Sequence, residues 1–87
     1  MHGRLFEVIL DYQRARAAIV GGFVPEFRER ALADFAAAHH DRYPEFWVDP
    51  AWLSRAFQEA VATGEIVPLG VANRDDQYIL RHQPPAT

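Results

Sequence analysis

Three groups of residues in this chain have types and spacing that suggest chemistry. His39-His40-Asp41 offers two imidazoles and a carboxylate, a donor set that suits zinc or another divalent ion. Adjacent histidines point to different faces of a helix, however, and no second donor pair at i,i+4 completes a site, so the run reads as a polar helix end where partly charged histidine complements the dipole. No metal and no cofactor is expected. The second group is Ser54, the chain's one serine, which lacks a Gly-x-Ser-x-Gly elbow. Gly21-Gly22 lacks the Gly-Lys-Ser/Thr continuation that would cradle a phosphate, so it reads as a chain break. The carboxylates are scattered along polar faces. These features point away from an enzyme. The third group comprises arginine and aromatic side chains, which suit binding rather than catalysis.

Composition narrows the classes further. The 87 residues suffice for one domain with a modest core, and 49% apolar with 24% charged residues is a globular balance. There is no cysteine, which excludes disulfides, thiolate metal sites and cysteine nucleophiles. The apolar run Leu5–Leu10 is interrupted by Glu7 and is too short for a signal peptide or a membrane span, so a cytoplasmic protein is the expectation, with no membrane partner. All nine basic residues are arginine, and the formal net charge is −3. That balance gives no global attraction to nucleic acid, so any such binding must come from a local patch.

The elements that position these groups follow from periodicity. Leu5, Val8, Ile9, Tyr12 and Ile19 recur at helical spacing and predict a first helix from Arg4 to about Ala18. The β-branched, apolar run Ile19–Val24 predicts a short strand around Gly21-Gly22. Pro25 suits a first helical position, and Glu26 and Glu29 suit a first turn, so a second helix is expected from Pro25 to about His39, striped by Phe27, Ala31, Leu32 and Phe35. Pro44 forces a turn within residues 40–48. A third helix follows, with Asp49 as N-cap, Pro50 at its first position, Leu53, Phe57 and Val61 inward, and Gly64 as its stop. Glu65–Leu69 and Gln77–Arg81 predict a hairpin joined by an Asn- and Asp-rich turn, with Pro68 marking an edge strand. Residues 83–87 form a frayed, disordered tail.

Helix, short strand, helix, turn, helix, hairpin resembles the winged helix-turn-helix superfamily over residues 4–82. The most telling stretch runs from Leu53 through "AVATGEIVPL" to "QYIL". The resemblance implies a small α+β winged-helix domain over residues 1–82, with the helix at 50–63 in the recognition position and Asn73-Arg74-Asp75-Asp76 at the wing tip. It also implies a DNA-binding, transcription-regulatory role, in which Arg55, Gln58 and Arg74 meet DNA while Arg14, Arg16, Arg28 and Arg30 position its backbone; a homodimer fits that role. Arg55 and Gln58 are chemically able to read guanine or adenine edges.

Charge points elsewhere. The outward residues of the third helix set Arg55 against Asp49, Glu59 and Glu65, and carboxylates near phosphates oppose the counterion release on which DNA affinity depends. Tyr43, Phe46, Trp47 and Trp52 crowd the approach to the same helix. One of the two tryptophans is expected to be partly exposed, with Phe46 or Trp47 filling the gap between the second and third helices. The alternative reading is therefore a protein-binding adaptor, accessory subunit or inhibitor that uses Trp47, Trp52, Asp49 and Glu59.

Overall fold

The computed structural model describes residues 3–70 and 76–84. Its elements are α1 (Gly3–Val20), β1 (Phe27–Arg28), α2 (Glu29–Ala38), α3 (Glu45–Val48), α4 (Ala51–Ala62), β2 (Ile66–Pro68) and β3 (Gln77–Leu80). The three strands make one antiparallel sheet ordered β1-β3-β2. The fold is α+β. Among the described residues no helix is long and apolar enough to cross a membrane.

The helical stripes become the core. Leu5, Val8 and Ile9 from α1, Leu32 and Ala36 from α2, and Leu53, Phe57 and Ala60 from α4 are all buried, joined by Tyr43, Ile66 and Leu80. Phe57 lies at its centre, with Phe27 and Tyr78 meeting its ring edge-on at centroid distances of 6.2 and 5.0 Å. T-shaped aromatic pairs of this kind add stability beyond area burial.

The predicted strand at Ile19–Val24 is displaced. Helix α1 continues through Ile19 to Val20, ends on Gly21 at φ +86°, and leaves Ile19, Val20 and Phe23 exposed. The strand forms instead at Phe27–Arg28, so α2 starts at Glu29 and not at Pro25. The cause lies in Phe27. Extended backbone places its ring in the core and lets it pair with Tyr78, as Arg28 pairs with Gln77, an arrangement that a first helical turn at this position does not provide. Glu26, expected in the first turn of this helix, therefore precedes it, and Glu29 alone of the two lies in the first turn.

Pro44 does break the chain, but it also opens a helix. With φ −63° and ψ −24° it begins the single turn α3, which occupies part of the expected connection. Phe46 is half-buried against the core, whereas Trp47 turns outward.

Helix α4 ends as its glycine predicts. Gly64 has φ +81°, and its N–H bonds the Val61 carbonyl at 3.1 Å while the Glu65 N–H bonds that of Ala60 at 2.9 Å. This is a Schellman cap, and it delivers the chain directly into β2. Ile66 pairs with Leu80, Val67 with Ile79 and Pro68 with Tyr78, which leaves β2 and its proline at the sheet edge.

Three interactions that the periodicity does not disclose tie the layers together. Arg4 donates to Glu45 (Nη2 to Oε1, 2.9 Å), to Glu7 and to the Arg42 carbonyl (2.9 Å), fastening α1 to the segment around α3. The buried Tyr43 hydroxyl donates to Asp11. Gln13, buried on α1, donates to the Pro25 carbonyl at 3.0 Å and forms a reciprocal amide pair with Gln83, both bonds 2.9 Å. Gln83 is thus a half-buried strap and not part of a frayed tail; residues 85–87 lie outside the described residues.

Candidate functional site

Asp49, at φ −147° and ψ 86°, lies outside the helical region and immediately precedes Pro50, which is already helical. Its carboxylate accepts a hydrogen bond from the Arg55 guanidinium, which is the main reason that Asp49 titrates below the usual carboxylate range; the charge of Arg55 and the Ala51 N–H add to the effect. One turn on, Gln58 donates to Glu29 at 2.8 Å and Ser54 donates to the same carboxylate at 3.3 Å, linking α4 to the start of α2. The two α4 side chains chemically suited to base edges are therefore both held by carboxylates of this chain. Glu59 is exposed and forms no ion pair among the described residues.

The remaining predicted basic residues are dispersed. Arg28 pairs with Asp76 at 3.0 Å, and Arg14 with Asp11 at 3.1 Å. Arg16 reaches only the Tyr12 hydroxyl, at 3.3 Å, and Arg30 is exposed without an ion pair among the described residues. Arg74 and most of the wing tip lie outside the described residues. Arg16 and Arg28 line one concavity; the two α4 residues do not join them there.

At the N-terminal approach to α4, apolar surface replaces charge. Trp47 is 66% exposed and Val48 88%. Trp47 meets the His40 ring edge-on at 5.3 Å, which steadies the indole without covering it. Trp52 is half-buried against the core, so of the two tryptophans Trp47 is the one presented to solvent. The histidine run is drawn apart: His39 Nδ1 lies 2.9 Å from the Phe35 carbonyl and His40 Nδ1 3.1 Å from Asp41. Trp47 and Val48 thus supply an apolar corner ahead of α4, Asp49 is held by Arg55, and Glu59 is the one carboxylate that α4 itself carries.

The sequence reading missed a second exposed apolar group, Ile19, Val20 and Phe23 at the end of α1. The signal was present in the pair of apolar residues directly before Gly21-Gly22, where it was assigned to a strand. Comparison with protein-family models, curated proteins and solved structures gives no significant match for this chain.

Proposed function

We propose that this chain is a non-catalytic winged-helix module that docks on a protein partner through the Trp47–Val48 corner and the exposed carboxylate of Glu59 on α4. The helix–strand–helix–helix–helix–hairpin order, with β3 central in the sheet, supports the winged-helix reading. One observation carries the choice of partner: Arg55 is paired with Asp49 and Gln58 is occupied by a hydrogen bond to Glu29, whereas Trp47 and Val48 stand in solvent. A DNA groove would have to break the Arg55–Asp49 pair and accept an unpaired carboxylate beside phosphate, both of which oppose binding. A protein surface with a hydrophobic pocket and a basic rim meets neither obstacle, and exposed tryptophan is a favoured anchor at such interfaces.

The DNA-regulator reading is tested by titrating fluorescent duplex of mixed sequence at low salt with the wild type, Arg55→Ala and Glu59→Arg. A protein-docking module leaves the duplex unbound by the wild type and by Arg55→Ala. Binding by the wild type that falls steeply with salt, and that loses roughly 1–3 kcal/mol with Arg55→Ala, identifies a DNA reader instead.

A further inference from the structure

We propose that a second surface, a two-chambered groove beside α1, takes a short acidic–apolar peptide segment of a partner protein. This inference rests on the protein-binding role proposed above but uses a different surface.

Tyr12 and Arg16 line two adjoining concavities of about 390 and 230 Å³. The smaller is apolar, walled by Ala15, Ile19 and Val20 of α1 and Phe35 of α2. Its rim is exposed, Ile19 at 86%, with Phe23 at 50% just beyond the helix. The larger chamber is polar and is bordered by Glu26, Arg28 and Gln77. Gln77 lines this chamber, and its side-chain oxygen is buried with no hydrogen-bond partner. Between the chambers, Arg16 has no carboxylate within ion-pair distance among the described residues, unlike Arg14 and Arg28.

An apolar chamber and an unpaired guanidinium side by side define the occupant. An extended peptide offers a side chain for the first and a carboxylate for the second. The distance from Tyr12 to Ile19 along α1 is about 10 Å, the length of roughly three extended residues. The apolar anchor and the carboxylate therefore lie within about three positions of each other. A second copy of the chain fits poorly, because an isologous pairing over this face brings the Arg16 guanidinium of both molecules to one seam.

The test is selection of a phage-displayed library of random twelve-residue peptides on the wild-type domain, followed by anisotropy titration and amide chemical-shift mapping with the selected peptides. Ile19 and Arg16 are exposed, so Ile19→Asp and Arg16→Glu leave the fold intact, which a thermal melt checks. Enriched peptides are expected to carry an aromatic or branched aliphatic residue within three positions of Asp or Glu, and to shift amides around residues 12–23 and 77. Ile19→Asp abolishes their binding, Arg16→Glu weakens it roughly tenfold, and replacing the peptide carboxylate by lysine restores binding to the Arg16→Glu variant. Failure to enrich any sequence, or affinity unchanged by both substitutions, overturns the groove. Peptides that shift Trp47 and α4 instead, and are lost with Trp47→Ala, overturn it while leaving the proposed docking role standing. Concentration-dependent dimerisation abolished by Ile19→Asp assigns the face to a second copy and overturns it equally.

Discussion

Phe57 and Tyr43 show how much of this molecule rests on single side chains. Phe57 is fully buried between two edge-on rings, so Phe57→Ala is expected to cost roughly 3–5 kcal/mol, read from chemical denaturation. A loss below about 1 kcal/mol would mean that α4 turns a different face inward. Tyr43 carries a pH signature. Burial is the main cause that pushes its phenol from 10.0 up to about 12, and the Asp11 carboxylate that accepts its proton adds to the effect. Because the folded value lies above the unfolded one, this contribution is complete below pH 10 and is lost as pH rises towards 12. Tyr43→Phe is expected to remove that alkaline loss while keeping the fold, as followed by denaturation at successive pH values. Glu45 has the opposite sign: the hydrogen bond from Arg4 holds it below the usual carboxylate range, so its contribution is present at neutral pH and disappears as acid protonates it.

At the scale of elements, α1 organises the domain through contacts of high sequence separation. Gln13 joins the Pro25 carbonyl, which precedes β1, to Gln83, which follows β3. Gln13→Ala removes a buried side chain together with its bonds to both segments and is expected to cost about 1–3 kcal/mol. Hydrogen exchange should accelerate first at residues 25–28 and 77–83; acceleration confined to α1 would mean that the strap does not hold the sheet. These elements also show where sequence reading succeeds. Helix α4 and its stop were legible because Leu53 and Phe57 keep helical spacing and Gly64 supplies the left-handed cap. The hairpin was legible because Pro68 and the Asn- and Asp-rich turn bracket β-branched runs. The position of β1 was not, since Phe27 fits a helical stripe and a strand equally well until Tyr78, fifty-one residues away, decides between them. Exposure of Trp47 followed from local crowding only as one of two choices. The Asp49–Arg55 and Glu29–Gln58 links, on which the proposed choice of partner rests, depend on three-dimensional proximity that spacing cannot provide.

For the whole molecule, a net charge of −3 combines with a dispersed set of arginines, most of them tied to carboxylates of the chain itself. The apolar side chains left in solvent form two groups, Ile19, Val20 and Phe23 at the end of α1 and Trp47 with Val48 ahead of α4, and the second carries the proposed docking role together with exposed Glu59. Trp47→Ala is therefore expected to spare stability, within about 0.5 kcal/mol, because an exposed side chain has little burial to lose, while removing partner binding. The most direct measurement installs a photo-crosslinking amino acid at position 47, at position 59 or, as a control, at exposed Pro68 in the native host, and identifies the adducts. The account predicts one common protein partner captured from positions 47 and 59 and lost when Glu59→Arg is combined with the position-47 crosslinker, with none of it at position 68. Nucleic-acid adducts at position 59, or no difference between these positions and the control, would contradict it.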